Sequence, residues 1–553
     1  LTADADNRLP MVLASAALCE DGQTVLTVAL DETVYDLQLR YTGETERGFT
    51  NIESVGPVWH DTAFVLGLIA LIAAAMALMY RREQKHTAPV PNDTGYSEAT
   101  VHLLLLAAAV GITLPILRDF LVSGHDLSFH LMRIEAIKDG LLDRQFPVRI
   151  GTTFWGGLGY ASTVLYPELF LYLPAVFRLC GVSLMAAYQV FIFLINLATL
   201  LITYHAVKRL TGKATVGLIT SLVYALGVNR MITLYTRAAI GEALALLFFP
   251  CVMLGMAEVL HRGKLSKWLI VGMTGLIQTH VVSVEIAAIA CAAYTVIAVV
   301  LRKTTGKNLL RLLAAAGITV LINLWFLVPF ARFAPEDLRM FNYTKRTMCY
   351  AVYPAQWFAS FVNPFGKARY LGTTAEMPLS VGTLLGVGIL LYILFHPRDD
   401  RTLRSVGHVS LGFGLAALVI SSTLFPWTYV AKIPVLGDLM YAVQFPWRYL
   451  GIAGFFLSLV FAVAAYSAGG THSRLLIAAC VVLAVFNIAP FMDQYIQSDD
   501  VTYTMQAKYD MDTVTDDTIW DYCYADTDFD ALENLPMRIT APDGVAITGF
   551  SKH

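Results

Sequence analysis

Charged residues are scarce in this sequence. Lys, Arg, Asp and Glu make up 15% of its 553 residues, and 56% are hydrophobic, whereas a soluble domain has about 25% charged and 45–50% apolar residues. The net charge of −3 provides no positive excess, so no nucleic-acid partner is expected. The seven cysteines form no C-x-x-C pair and show no metal-ligand spacing, which excludes the common cysteine-based zinc patterns.

The chain also lacks the short motifs of several enzyme classes. There is no GxxxxGK[ST], no HExxH and no GxSxG, which leaves nothing to suggest a P-loop nucleotidase, a zincin protease or a serine hydrolase. The glycines of segment 156–160 are not followed by a helix and an acidic residue, so they do not form a dinucleotide fingerprint.

Long apolar runs take the place of these features. Roughly 20 helical residues cross a hydrocarbon core of about 30 Å, and runs of nearly this length recur along the chain. Spans are predicted at residues 62–80, 99–119, 184–206, 213–229, 239–260, 266–281, 284–301, 309–331, 380–396, 407–424, 449–467 and 474–491. The sequence therefore predicts an all-α polytopic membrane protein with about 12 transmembrane helices.

Basic segments between the spans predict the orientation, because Lys and Arg remain on the cytoplasmic side. These segments begin at Arg81, Lys208, His261, Arg302 and Arg398, and crossings counted from the first place all of them inside. The outer loops are then 120–183, 332–379 and 425–448.

The predicted organisation has four parts. The ends, 1–59 and 492–553, are small extracytoplasmic segments with β-strand patterns. Residues 60–98 form an extra helix and a cytoplasmic linker, and 99–491 form the transmembrane core.

The first polar cluster contains Asp126, His130 and Arg133. An amphipathic pattern over 127–142 predicts a helix lying flat on the membrane surface, with the Asp126 side chain accepting backbone N–H bonds at its N-terminus. The spacing puts all three side chains on one helix face. They could activate an acceptor hydroxyl or, through Asp126 and His130, hold a divalent cation such as Mg²⁺ or Mn²⁺. The alternative is a capped interfacial helix with solvated charges.

Two further clusters lie near predicted outer helix ends. Glu242 opens an apolar run, and an ionisable residue there is costly unless paired; Arg237 is its nearest partner in sequence. The alternative role is an ion pair that anchors the helix end. His280 lies between two short spans, where it either binds a ligand or is a hydrogen-bonded structural residue.

Arg448 and Trp447 form the fourth cluster, just before a predicted span. The Arg448 guanidinium offers a planar fork for phosphate oxygens, and Trp447 suits the headgroup level. The alternative is an ordinary aromatic and basic anchor at a helix end.

Together these segments resemble the GT-C superfamily of membrane glycosyltransferases, and more closely the bacterial YfhO-like proteins and the membrane family labelled 6-pyruvoyl-tetrahydropterin synthase-related. The resemblance rests on five short motifs within residues 99–491: His125-Asp126-Leu127 with His130 and Arg133, Phe146-Pro147-Val148-Arg149, Gly159-Tyr160 with Tyr166-Pro167, Arg237 with Gly241-Glu242, and Gln444-Phe445-Pro446-Trp447-Arg448. The sequence starts at Leu1 and stops within a strand-like pattern, so the chain is expected to be open at both ends. Segment 1–59 also resembles the closing β region of YfhO-like proteins, which implies that the chain begins in the tail of a preceding copy or comes from a tandem or rearranged gene.

The resemblance implies transfer of a sugar from a polyprenyl-phosphate donor to an extracytoplasmic glycan or lipid of the cell envelope, in a bacterial membrane. It implies Asp126 as the essential acid, Glu242 as a second acid, and Arg448 as a ligand of the donor phosphate. Many GT-C enzymes have an acidic pair where this chain has His125-Asp126-Leu127, which leaves metal use open.

Three functions were weighed on these residues. The first is an inverting glycosyltransferase in which His130, Arg133, Arg237, His280, Trp447 and Arg448 bind substrate. The second is a non-catalytic binder or flippase of lipid-linked glycans, which needs no carboxylate base. The third is a secondary transporter, which the small number of mid-span charges disfavours.

Overall fold

A computed structural model describes residues 93–118, 120–122, 124–152, 154, 159–334, 351–359, 379–434, 436–469, 473–496 and 501–504. It also describes strands β1 (Leu13–Leu18) and β2 (Thr24–Val28) and isolated positions between 67 and 74. The predicted span 62–80, most of loop 332–379 and most of the tail 492–553 lie outside the described residues.

Helices dominate the described chain. They are α1 (Glu98–Thr113), α2 (Leu127–Leu142), α3 (Ser162–Leu165), α4 (Tyr172–Leu179), α5 (Leu184–Thr211), α6 (Ala214–Ala225), α7 (Val228–Met231), α8 (Ile240–Leu246), α9 (Phe249–Leu260), α10 (Lys267–Ile277), α11 (Val281–Val300), α12 (Gly306–Ile322), α13 (Leu324–Phe333), α14 (Thr383–Phe395), α15 (Arg401–Ser421), α16 (Trp427–Val430), α17 (Leu436–Ala442), α18 (Tyr449–Gly469) and α19 (Ser473–Ile496).

Strands are few in the part of the chain that the structure describes. β1 pairs antiparallel with β2, and β3 (Phe120–Val122) pairs antiparallel with β4 (Val501–Thr504). These short pairs do not confirm a β-rich domain at either end.

The protein is a multi-pass membrane protein by the length and composition of its helices. Among the described residues, six helical segments are long and apolar enough to cross a membrane, and two bent helix pairs raise the number to as many as eight. The six are Glu98–Ile116, Leu184–Thr211, Ile240–Leu260, Val281–Val300, Arg401–Ser421 and Pro446–Gly469. A total of 12 spans is not confirmed.

Several helix starts follow the usual capping chemistry, in which a side-chain oxygen accepts a backbone N–H of the first turn. Ser97, Ser183, Thr305 and Asp400 cap α1, α5, α12 and α15 in this way. Gly212 ends α5 with a φ of 74°, the left-handed conformation that glycine adopts without strain.

The span Ile240–Leu260 carries an acidic residue near each end, Glu242 and Glu258. Glu258 lies with basic residues: Arg209 Nε is 2.7 Å from its Oε1, and Arg262 also approaches it. Two of the basic segments predicted to share one face, those that begin at Lys208 and His261, therefore meet at the end of the span opposite Glu242.

Candidate active site

Asp126 precedes α2, but its side chain makes no capping hydrogen bond, so the expected capping role is wrong. Its φ of −108° and ψ of 7° differ from the extended conformation that a capping residue usually adopts. The backbone holds the segment instead. The N–H of Asp126 donates to the carbonyl of Arg237 at 2.8 Å, and the N–H of His125 donates to Thr236 at 3.2 Å. The first two polar clusters are thus joined through their main chains.

The helix after Asp126 is not a solvated surface helix. His130 and Arg133 are 1% and 2% exposed, which excludes the alternative of solvated charges. Arg133 Nη2 donates to the carbonyls of Tyr166 and Pro167 at 2.9 and 2.7 Å, and the guanidinium lies 4.3 Å from the Tyr166 ring centroid. Arg133 therefore fixes the turn that carries Tyr166.

The two predicted histidines flank this tyrosine. The ring centroids of His130 and His280 lie 5.7 and 6.1 Å from that of Tyr166. His280 Nδ1 lies 2.8 Å from Ser283 Oγ, whereas neither ring nitrogen of His130 has a hydrogen-bond partner among the described residues.

Both imidazoles are held neutral near pH 7. Burial, with the charges of Arg133, His280 and Arg237, holds the pKa of His130 well below its ordinary value. Burial, with the charges of Arg448 and Arg237, does the same to the pKa of His280. Neutral rings can donate or accept a hydrogen bond.

Glu242 lies between two arginines. Arg237 Nη1 is 2.8 Å from Glu242 Oε2, and Arg448 Nε is 3.6 Å from the same oxygen. The side chains of Glu242, Arg237 and Arg448 are 5%, 7% and 10% exposed, so two buried guanidinium groups face one buried carboxylate. The Arg237 guanidinium also lies 4.2 Å from the ring centroid of Trp447, a cation–π distance.

Neighbouring residues aim the Arg448 side chain. Its Nη1 donates to the carbonyl of Val443 at 2.9 Å and to Gln444 Oε1 at 2.7 Å. Its Nε has no hydrogen-bond partner among the described residues. The guanidinium therefore keeps donor capacity on the side facing Glu242.

Gly241 allows the elements of the site to approach one another. A Cβ at this position would lie 2.1 Å from Tyr166 Oη and 2.8 Å from the Thr279 carbonyl oxygen. Only glycine permits this contact between α8, the Tyr166 turn and the residue before His280.

Tyr166 occupies the centre of the cluster. Burial raises the pKa of its hydroxyl to about 12, and the charges of Arg133, Asp126, Arg448 and Glu242 all act on it. The phenol stays protonated at neutral pH. Six of the eight predicted site residues lie beside Tyr166 or act on it electrostatically. Arg237 joins them through its ion pair with Glu242, and Trp447 joins them through its contact with Arg237.

The backbone next to the acids is strained. Ala238 has a φ of 50° and Gln444 a φ of 63°, a region that residues with a side chain rarely adopt. Ala238 lies between Arg237 and Glu242, and a Cβ on Gly124 would come within 2.8 Å of its methyl group. Such outliers cluster at functional sites, where surrounding contacts maintain them.

Sequence reasoning missed Glu168, which is 1% exposed. Its Oε1 accepts from the Tyr172 hydroxyl at 3.0 Å. Burial raises the pKa of this carboxyl to about 7, against the opposing charge of Arg133. The signal that could have found it is the position of Glu168 within the otherwise mostly apolar segment 164–171.

A mostly apolar cavity of about 480 Å³ begins beside His280. Glu285 is the one acidic residue in its lining, and its Oε1 has no hydrogen-bond partner among the described residues. The other lining residues are Ile277, Val281, Val284, Ala288, Ile289, Ala292, Phe326, Leu327, Phe330 and Leu439.

Within the described chain, Asp126 and His130 belong to no group of three or more neighbouring metal-ligating side chains. His130 is surrounded by Arg133 and Arg237, whose charges act on it and oppose a divalent cation. The arginines themselves supply positive charge to an anionic ligand.

No protein-family model matches the sequence, and no curated protein matches it. Solved structures with similarity include ArnT from Cupriavidus metallidurans bound to undecaprenyl phosphate, with 17% identity over 71% of this chain and a TM-score of 0.40. They also include an Archaeoglobus fulgidus oligosaccharyltransferase in complex with zinc and sulfate, with 13% identity over 80% of this chain and a TM-score of 0.41. The chain spans 66% and 59% of their respective lengths. What the chain does must therefore follow from its own residues.

Proposed function

We propose that the protein is a membrane glycosyltransferase of the GT-C type, which moves a sugar from a polyprenyl-phosphate donor to an acceptor hydroxyl on the extracytoplasmic side. The observation that carries the proposal is the pair of buried guanidiniums, Arg237 and Arg448, that approach the carboxylate of Glu242. The charge of Arg448 also acts on Glu285, which lines an apolar cavity. Asp126 also acts electrostatically on Arg448, and Arg133 adds a third guanidinium to the cluster. The remaining excess of positive charge is costly in a protein interior, and an anionic ligand would relieve it.

A lipid phosphate would suit both the arginine pair and the apolar cavity. Guanidinium forks bind phosphate oxygens in a planar, bidentate manner, and Arg448 keeps unused donor capacity. The apolar cavity lies next to His280, and a neutral prenyl chain would fill it without loss of hydrogen bonds. Trp447 stacks beneath Arg237 and keeps that guanidinium extended.

Asp126 would act as the base. In the proposed step the acceptor hydroxyl oxygen attacks the anomeric carbon of the donor sugar, its proton passes to the Asp126 carboxylate, and the bond from the anomeric carbon to the phosphate oxygen breaks. Polyprenyl phosphate leaves with the negative charge, which Arg237 and Arg448 stabilise. Attack opposite the leaving group inverts the anomeric configuration.

The neutral residues complete the site. The imidazoles of His130 and His280 lie beside the Tyr166 ring, and each of the three side chains can hydrogen-bond to sugar hydroxyls without adding charge. Glu242 assists by offsetting the repulsion between the two arginines, both of which approach its Oε2.

The test is sugar transfer from radiolabelled polyprenyl-phosphate hexoses in proteoliposomes. Asp126→Asn should lower turnover by about 10²- to 10⁴-fold, the usual contribution of a general base, while donor binding persists. Asp143→Asn is the matched control, because Asp143 is exposed at the opposite end of α2 and its loss should leave turnover within about twofold.

Turnover that survives Asp126→Asn would remove this residue from the mechanism and direct attention to Glu242. Donor binding without turnover for any hexose would favour a binder or flippase of lipid-linked glycans.

A further inference from the structure

A second polar cluster lies at the end of the bundle opposite Asp126. Glu98 and His102 occupy the first turns of α1, four residues apart and therefore on one helix face. His205 lies near the end of α5, and its Nε2 is 3.0 Å from Nε2 of His102. One ligand atom from each of these three residues lies within 4.8 Å of the other two.

The composition of this cluster is that of a transition-metal site. Two imidazole nitrogens and a carboxylate form a donor set that zinc uses, with Zn–N and Zn–O distances of about 2.0–2.2 Å. Donors around a tetrahedral ion at such distances lie about 3.4 Å apart, which small side-chain rotations would achieve here. All three residues are partly buried, so solvent can reach the cluster and supply a fourth ligand.

Neighbouring side chains hold the carboxylate in place. The Tyr204 hydroxyl donates to Glu98 Oε1 at 2.9 Å, and Lys208 Nζ donates to Oε2 at 2.6 Å. A carboxylate offers about four lone-pair directions, so it can accept hydrogen bonds and coordinate an ion at the same time. Hydrogen bonds of this kind orient the ligands of metal sites.

We propose that Glu98, His102 and His205 bind a divalent transition-metal ion of the zinc class. The ion would join α1 to α5 at the end of the bundle that carries Lys208 and Arg209. The site is separate from Asp126 and independent of the proposed transferase activity.

The test is metal binding by the full chain, purified in detergent without a polyhistidine tag and stripped with a chelator. Titration with Co²⁺ should give visible absorption bands of a low-coordinate ion at one equivalent per chain, and Zn²⁺ should abolish them. His102→Ala and His205→Ala should each weaken binding at least about 100-fold, since loss of an outer hydrogen bond alone weakens metal binding 10- to 100-fold.

His261→Ala is the matched control. His261 follows α9 near the same end of the bundle, and its Nε2 lies 2.7 Å from the Tyr294 hydroxyl. Its loss should leave the Co²⁺ spectrum unchanged. Equal binding by the wild type and His205→Ala, or no binding by the wild type, would overturn the proposal.

A measurement on the wild type covers the case in which the variants do not fold. Diethyl pyrocarbonate should modify His102 and His205, and Zn²⁺ should protect both while leaving His261 reactive, as read by mass spectrometry. Modification of His102 and His205 that is unaffected by Zn²⁺ would also overturn the proposal.

Discussion

Glu242 and Glu258 lie near opposite ends of the same span and are both buried, yet their arginines differ. At Glu258 the partner Arg209 is 51% exposed and Arg262 is 43% exposed, so both guanidinium groups reach water. At Glu242 the partners Arg237 and Arg448 are 7% and 10% exposed.

The difference separates an anchoring ion pair from a candidate binding site. Arginines that extend their charge into water stabilise a helix end at little cost. Burying two arginines beside one carboxylate removes their charges from water, which costs free energy. The sequence offers the same residue types at both ends, and only burial distinguishes them.

The largest expected effect concerns the two carboxylates themselves. Glu242→Gln should lower the free energy of unfolding by about 3–5 kcal/mol, because it removes the carboxylate that pairs with both buried guanidiniums. Glu258→Gln should cost about 1 kcal/mol or less, because its arginines are solvated. Thermal unfolding of both variants in detergent measures this, and equal losses would break the distinction between the two ends.

The arginines give the next effect. Arg448→Lys keeps the charge but removes the planar fork, and should raise KM for the lipid-phosphate donor by about 10- to 100-fold, the value of one or two charged hydrogen bonds. Arg209→Lys, at the other end of the span, should leave KM unchanged. A donor titration in proteoliposomes compares them, and a KM unaffected by Arg448→Lys would remove that residue from donor binding.

Close packing at the site predicts a smaller effect. Gly241→Ala should destabilise the protein by about 1–3 kcal/mol, since its methyl group would overlap Tyr166 Oη and the Thr279 carbonyl. Gly111→Ala is the matched control within α1, where a Cβ meets nothing within 4 Å, and it should stabilise the helix slightly. Midpoints of thermal unfolding test both, and a neutral Gly241→Ala would mean that the Tyr166 turn is not fixed.

The smallest effect is a pH dependence. Burial raises the pKa of Glu168 to about 7 from an ordinary value of 4.5. Between these values the folded state retains a proton that the unfolded state releases, so this group's contribution to stability falls as pH rises. The advantage of wild type over Glu168→Gln in thermal stability should therefore be greater at pH 5 than at pH 8. An advantage that grows with pH would show that Glu168 is ionised in the folded protein.

Much of the helical core was predictable because the length of an apolar segment alone indicates a membrane-spanning helix. The prediction at 184–206 corresponds to Leu184–Thr211, and that at 239–260 corresponds to Ile240–Leu260. Breaks in the helix within an apolar segment were less predictable. The predicted span 309–331 is bent by 79° after Ile322, where the Asn323 amide donates to the Thr319 carbonyl and to Thr274 Oγ1. One polar residue inside an apolar run does not reveal such contacts.

The charged residues of the candidate site were predictable from the sequence, whereas Tyr166 at its centre was not. Asp126, Glu242 and Arg448 could be picked out because ionisable residues are rare beside long apolar segments. Tyr166 does not stand out, because its position depends on Arg133 and on the missing side chain of Gly241. These contacts join segments that are distant in sequence, and no periodic pattern encodes them.

The main-chain hydrogen bonds from His125 and Asp126 to Thr236 and Arg237 have a consequence for divergence. Every residue type supplies a carbonyl and all but proline supply an N–H, so positions 125 and 236 can change identity over evolutionary time without displacing Asp126. Homologous chains could therefore keep the distance between Asp126 and Glu242 after the sequences around these residues have diverged beyond recognition. Grafting the site onto another scaffold would require both backbone segments together.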